Sequence, residues 1–258
     1  MPTTQSDFRR WLEDVRPGVD AALEIALSPA QMPGVPSGLQ EPMAYALLGN
    51  GKRVRPALCL LAAEACGGTQ EQALSAAIAC EMIHAYSLIH DDLPCMDDDA
   101  LRRGRPTVHV QYSEATAVLA GDALQALAFQ TLATQSETAL IAAQVLQLSY
   151  AAGASGMVGG QQLDMDSEGQ TPELDLVLRL HGAKTGALLS AALFLGVTAA
   201  GGNPQAWSTY ATSVGRLFQI TDDIIDATST TAELGKTAGK DSSAGKATVV
   251  AVLGLDGA

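Results

Sequence analysis

Two acidic clusters and a set of basic residues carry the chemistry of this 258-residue chain. The first cluster is Asp91-Asp92-Leu-Pro-Cys-Met-Asp97-Asp98-Asp99, followed at once by Arg102, Arg103 and Arg105. Carboxylates crowded this closely repel one another, and a hard divalent cation among them lets them stay ionised together. Arginines beside such a cluster suit a phosphate-bearing ligand. The second cluster, Asp222-Asp223-Ile-Ile-Asp226, puts Asp222 and Asp226 four apart, on one helix face. Like charges at that spacing weaken a helix unless a cation offsets them. One acidic cluster alone is as readily a solvated helix end. Two, each closing an apolar helix, favour metal binding. Mg²⁺ takes oxygen ligands and bridges one or two carboxylates to a diphosphate, so it suits both. An EF-hand calcium loop does not fit, because its alternation ending in Glu is missing.

The basic residues complete the pattern. Gly51-Lys52-Arg53-Val54-Arg55-Pro56 is a glycine turn leading into a helix, and the exposed N–H groups of a helix start favour anions. Lys184-Thr185-Gly186 lies inside an otherwise apolar helix, where Lys184 either snorkels to solvent or reaches a ligand. Lys236, Lys240 and Lys246 sit in a polar loop able to close on a ligand or simply solvated. His84 lies seven residues before Asp91, on the same helix face and about 10 Å along the axis. His90, His109 and His181 read as structural.

Helices must position these groups. Apolar residues at helical spacing predict helices over 6–27, 42–48, 57–66, 70–90, 113–134, 137–166, 174–200 and 205–226, with a last one from 247 to 253. Ser28 to Leu39 and Thr228 to Gly245 read as loops. The helix over 137–166 carries Gly153, Gly156, Gly159 and Gly160, which implies close backbone packing or a ligand alongside. No segment alternates apolar and polar residues, so no strand is expected. The expected fold is an all-α single domain. Apolar residues make up 47% of the chain and aromatic residues only 4%, an aliphatic composition suited to helix packing. The formal charge of −13 argues against non-specific binding to nucleic acid or to anionic membranes. Cys59, Cys66, Cys80 and Cys95 form no Cys-x-x-Cys pair and read as thiols of a reducing compartment. The N-terminal residues carry no secretory apolar segment. No stretch of roughly 18 apolar residues has the flanks of a membrane span, Thr185 to Gly202 coming nearest. The expected location is the cytoplasm.

With both acidic motifs in place, the chain from Met43 to Leu255 resembles the trans-isoprenyl diphosphate synthases, most closely bacterial farnesyl diphosphate synthase. The matching motifs are Gly51-Lys52-Arg53-x-Arg55-Pro56, Asp91-Asp92-x-x-x-x-Asp97 with Arg102-Arg103-Gly104, Lys184-Thr185-Gly186, and Phe218-Gln219-x-x-Asp222-Asp223-x-x-Asp226. The resemblance implies a bundle of long antiparallel helices around a deep central cavity, commonly a homodimer. It implies condensation of isopentenyl diphosphate with dimethylallyl or geranyl diphosphate through an allylic cation, with Mg²⁺ held by Asp91, Asp92, Asp97, Asp222, Asp223 and Asp226. By the same match Gly51, Lys52, Arg55, His84 and Arg103 hold isopentenyl diphosphate. Arg102, Lys184, Lys236 and Lys246 contact the allylic diphosphate, and Thr185 and Gln219 stabilise the cation. Gln161 and Asp164, in Gly160-Gln161-Gln162-Leu163-Asp164, match a further motif near the metals. Tyr86 with Ser87, about 7.5 Å deeper than Asp91 on the same helix, implies a short, farnesyl product. The alternatives are a geranylgeranyl diphosphate synthase and a non-catalytic helical partner subunit. The family pattern continues through further helices past Leu255, whereas the single domain of residues 1–258 stops at Ala258, so those C-terminal helices are either cut from this sequence or absent from the protein.

Overall fold

The computed structural model describes residues 4–135, 138–167, 169, 173–228 and 248–258. The lysine loop with Lys236, Lys240 and Lys246 lies outside the described residues. The fold is all-α, as expected. Its residues group into two compact units, Met1–Leu146 with Ala192–Pro204, and Gln147–Ala191 with Gln205–Ala258.

In the first unit, α1 (Gln5–Ala26) starts from a capping box in which Thr4 and Asp7 satisfy each other's backbone N–H. Its Val15, Val19 and Leu23 recur every four residues and are buried. Next come α2 (Ser37–Leu47) and α3 (Val54–Ala65). Pro56 sits in the first turn of α3, where its missing N–H has no intrahelical partner to lose. The central helix α4 (Gln70–Asp91) opens on a second capping box, Thr69 with Gln72. It is buried along nearly all its length from Ala73 to Ile89. Fully buried side chains such as Met82 and Ile83 each contribute roughly 1.5–3 kcal/mol.

After α4 the chain forms a two-residue hairpin, β1 (Leu101–Arg102) with β2 (Arg105–Pro106), then α5 (Val108–Gln111) and α6 (Glu114–Ala133). The strands were not expected. Two residues are too short to show alternation, and the hairpin is set by its turn: Arg103 and Gly104 both have positive φ, 53° and 75°, as a two-residue type I′ connection requires. Helices α4 and α6 pack antiparallel. His90 meets the Val118 carbonyl at 3.1 Å, and two turns earlier Met82 Sδ lies 3.8 Å from Thr131 Oγ1. Any side chain at Gly121 would overlap the His90 ring.

The second unit departs from expectation twice. The helix expected over 137–166 is two, α7 (Thr138–Ala152) and α8 (Met157–Ser167), because the chain turns at Gly153, whose carbonyl accepts from Gly156 N–H at 3.0 Å. The helix expected over 174–200 is α9 (Leu174–His181) and α10 (Ala187–Ala199), joined by a π-helical turn, Gly182–Gly186. That turn packs against α8 at Gly160 and against α11 at Gly215, where added Cβ atoms would meet Lys184 and Gly186 backbone at 2.5 and 3.0 Å. A 3₁₀ turn (Pro204–Trp207) leads into α11 (Ser208–Thr228), and α12 (Val249–Leu253) closes the described chain. Two apolar stretches, Gln70–Asp91 and Leu174–Ala199, are long enough to cross a membrane, but most of each is buried within the fold, as core helices are.

Candidate active site

The first acidic motif is the end of α4 folded back on itself. Helix geometry stops at Asp92, as Pro94 dictates for the residue before it. The following loop then returns: Asp97 N–H donates to the Asp91 carbonyl at 2.8 Å, and Asp99 N–H to the Asp92 carbonyl at 3.2 Å. Residues six apart in sequence are thereby brought side by side, Asp91 next to Asp97. Asp98 takes a left-handed φ of 49° to make the turn, a conformation Asp tolerates better than most residues.

Asp92 points elsewhere. It is 3% exposed, and Arg102 holds both its oxygens, Nε at 2.8 and 3.0 Å and Nη2 at 2.7 Å. Burial raises the Asp92 pKa, and Arg102 works against that rise. Burial would lower the Arg102 pKa, but the Asp92 hydrogen bonds and the nearby Asp91 and Asp99 charges leave it raised. Asp92 and Arg102, expected at metal and allylic diphosphate, are paired with each other.

A basic pocket lies on the same helix, two turns before the acidic end. Tyr45, Gly49, Asn50, Arg53, Glu81, His84, Arg102, Arg103 and Arg105 contribute to its walls. Arg53, in a left-handed conformation at the cap of α3, turns inward. It donates to Glu81 at 2.9 Å, to Asp20 at 2.7 Å and to the Gly49 carbonyl at 3.3 Å, which closes the 49–53 turn. Gly51 is buried where a Cβ would sit 2.7 Å from Arg53 Nη1 and 3.1 Å from Arg103 Nη1, so only glycine lets these guanidiniums approach the turn. His84 has its pKa driven well below the usual imidazole value, by burial first and then by Arg55, Arg103, Arg102 and Arg53. It is neutral at physiological pH. Lys52 is exposed on the same turn. Tyr86 is buried, 5% exposed, and stacks edge-on against His90 at 5.8 Å, while the Ser87 hydroxyl donates to the His84 carbonyl.

In the second unit the π-helical turn presents Lys184, whose Nζ meets Asp164 Oδ2 at 2.6 Å. Such turns recur at functional sites because the extra residue re-aims side chains. Asp223 is buried and committed to protein: Val249 N–H donates to it at 2.8 Å, Gln219 Nε2 at 3.3 Å, and His181 Nε2 lies 3.5 Å away. Asp223 thus ties α11 to α12 and α9. Burial lowers the His181 pKa against the pull of Asp223, Asp164 and Asp222. Asp222 is exposed and Asp226 half-buried on the same helix, and Thr185 is half-buried on the π-helical turn. The Gln161 carbonyl oxygen is buried with no hydrogen-bond partner among the described residues, an acceptor that a cation or ligand donor would satisfy.

The donor chemistry fits Mg²⁺. Asp91, Asp97, Asp164, Asp222, Asp226 and the Gln161 side-chain amide all carry hard oxygen donors. Among the described residues no three metal-binding side chains converge. Mg²⁺ commonly takes one or two carboxylates and completes its shell with water and substrate phosphate.

Sequence reasoning passed over Glu81 and Tyr45, gave Arg53 no role of its own, and named Arg105 only among the arginines beside the acidic cluster. Glu81 carried a signal: it is the one acid between Ala73 and His90 of a buried helix, a position that demands a partner. The sequence contains no sign of which basic residue in 52–55 turns inward.

An all-helical chain with acidic helix ends and a basic pocket on one core helix is an isoprenoid-synthase fold. Residues 36–258 match the polyprenyl synthetase family model, and the chain belongs to that family; it is a prenyltransferase of the trans type. It is 47% identical to geranylgeranyl pyrophosphate synthase 9, chloroplastic, of Arabidopsis thaliana, over 97% of this chain and 71% of that protein. It is 45% identical to the geranylgeranyl diphosphate synthase of Cyanophora paradoxa, over 86% and 77%. Among solved structures it resembles a geranyltransferase from Helicobacter pylori complexed with magnesium and isoprenyl diphosphate, with a TM-score of 0.84 and 34% identity over 98% of this chain and 86% of that one. An FPP/GFPP synthase from Zymomonas mobilis gives 0.81 and 39% identity over 94% and 90%.

Proposed function

We propose that the chain condenses isopentenyl diphosphate with a short allylic diphosphate, extending it by isoprene units and releasing diphosphate. One observation carries this reading: a single buried helix, α4, bears the basic pocket at Glu81–His84 and the acidic end at Asp91, about 10 Å apart. Two diphosphates could thus be held at two levels of one rigid element. Gly51, Lys52, Arg55, neutral His84 and Arg103 take the isopentenyl diphosphate. Lys184, Lys236 and Lys246 contact the allylic one, with Arg102 holding Asp92 at its edge. Mg²⁺ ions would be held by Asp91 and Asp97 and by Asp222 and Asp226, and would neutralise the leaving diphosphate. Asp164 and Gln161 support that set, and Asp223 orients α11. Thr185 and Gln219 turn side-chain oxygens toward the allylic cation, and the isopentenyl double bond attacks it. The released diphosphate then accepts the departing proton. We place the enzyme in the cytoplasm as a homodimer; relatives named chloroplastic make a plastid the other location.

The names of the relatives favour a geranylgeranyl product over the farnesyl product expected from Tyr86 and Ser87. A farnesyl product remains the second reading, supported by the buried bulk of Tyr86 beside the acidic end of α4. Chromatography of the products made from dimethylallyl, geranyl and farnesyl diphosphate separates the two. A geranylgeranyl synthase extends a farnesyl starter, and a farnesyl synthase stops short of it. If Tyr86 is the floor, Tyr86→Ala lengthens the product; unchanged length removes Tyr86 from the account.

A further inference from the structure

We propose that Arg105, held in place by Tyr45, is a further diphosphate-binding residue at the mouth of the basic pocket, which rests on the reading of that pocket as the isopentenyl diphosphate site. Four guanidiniums line the pocket: Arg53, Arg102, Arg103 and Arg105. Two are committed to acids, Arg53 to Glu81 and Asp20 and Arg102 to Asp92. Arg103 and Arg105 have no ion pair with an acid among the described residues. Arg105 is nevertheless fixed. Its guanidinium stacks 4.1 Å from the centre of the Tyr45 ring. The Tyr45 hydroxyl donates to the Pro106 carbonyl at 2.7 Å, and Tyr112 braces the ring edge-on at 5.7 Å. A guanidinium stacked on an aromatic face keeps its in-plane N–H donors available, so it is presented to an anion with little entropy left to lose.

The hairpin gives an independent indication. Arg102 and Arg105 are directly opposed across β1 and β2, and like charges in that position are unfavourable. Asp92 offsets the charge of Arg102, and the Tyr45 ring only partly offsets that of Arg105. An anion between the strands and the 49–53 turn would offset the remainder. Arg105 also reaches that turn: a Cβ at Gly49 would lie 3.5 Å from its Nη1. The pocket is only partly enclosed, with Arg105 in its wall. A diphosphate seated there would meet the exposed guanidinium of Arg105. The acid on that side is Glu41, whose charge reaches Tyr112 together with that of Arg105.

The test is steady-state kinetics on the full chain, varying isopentenyl diphosphate at saturating allylic substrate, with inorganic diphosphate as inhibitor. Arg105→Leu raises the KM for isopentenyl diphosphate about fivefold and weakens inhibition by inorganic diphosphate in step, as expected for one rim charge. The change sits in KM rather than kcat, and the KM of the allylic substrate stays put. Arg105→Lys recovers part of the loss. Tyr45→Leu, which frees the guanidinium, raises the same KM about two- to threefold. Unchanged KM and inhibition in Arg105→Leu overturn the assignment while leaving the prenyltransferase reading intact, and so does a rise confined to the allylic substrate. If the wild type turns nothing over, the underlying reading fails, and calorimetric titration of inorganic diphosphate into wild type and Arg105→Leu decides the binding role. Weaker binding by the variant supports it, and equal binding overturns it.

Discussion

Replacing Gly160 by alanine probes how the second unit positions Lys184. The added Cβ would lie 2.5 Å from Lys184 Cα and 2.7 Å from the Ala183 carbonyl carbon. Carbon atoms in contact sit roughly 3.5–4.0 Å apart, so α8 and the π-helical turn must separate by about 1 Å. Backbone stands on both sides, and no flexible side chain can give way. Overpacking of this kind costs about 1–3 kcal/mol. In a chain of this size each kcal/mol lowers Tm by roughly 2–4 °C, so Gly160→Ala should melt roughly 2–12 °C below the wild type. The displaced turn carries Lys184, paired with Asp164 at 2.6 Å, and Thr185. A shift of about 1 Å in such groups can lower kcat by about 100-fold. Gly18 supplies the control. It is exposed in the middle of α1 with nothing within 4 Å of an added Cβ, so Gly18→Ala should stabilise by about 0.5–1 kcal/mol. Calorimetric melting and turnover of both variants give the answer. The packing argument is wrong if Gly160→Ala melts with the wild type and keeps its kcat.

Asp92→Asn and Asp91→Asn should separate two kinds of loss. Asp92→Asn breaks the pairing with Arg102 and should cost about 1–2 kcal/mol of stability, whereas Asp91→Asn should cost mainly kcat; equal effects of the two on Tm and kcat would dissolve the distinction. His84 makes stability depend on pH. Its folded pKa is depressed, so an unfolded chain takes up its proton near pH 6.5 while the folded chain does not. The stability His84 leaves intact above that pH is lost as pH falls. Denaturant midpoints of the wild type should therefore drop faster from pH 7 to pH 5 than those of His84→Gln, and parallel curves would refute the burial of a neutral imidazole. Asp92, raised by burial, works with the opposite sign, favouring the fold as pH falls through its own higher pKa.

Local signals in the sequence marked α4 almost to the residue. Thr69 with Gln72 caps its start, a mostly apolar run interrupted by Glu81 and His84 fills it, and Pro94 ends it. The acidic end and the basic turn could be read for the same reason, since charge and spacing are local. What depended on distant backbone was not legible. The π-helical turn at Gly182–Gly186 reflects packing against Gly160 and Gly215, contacts between parts of the chain far apart in sequence. The break at Gly153–Gly156 was hidden because glycines in a helix signal close packing as readily as a turn. Lys52 and Arg53 are both basic, and their order in the sequence does not show which one faces Glu81; the left-handed φ of 53° at Arg53 accompanies its inward turn. For Asp92 and Asp223, membership of a motif masked their partners, Arg102 for one and Val249 with Gln219 for the other.

The most direct measurement is diphosphate release by the purified full chain given isopentenyl diphosphate and each of the three allylic starters, with Mg²⁺ and with the metal chelated. The account predicts Mg²⁺-dependent release matched mole for mole by a longer prenyl diphosphate, and its loss in Asp91→Asn. No release from any starter in the presence of Mg²⁺, from protein that melts cooperatively, would contradict it.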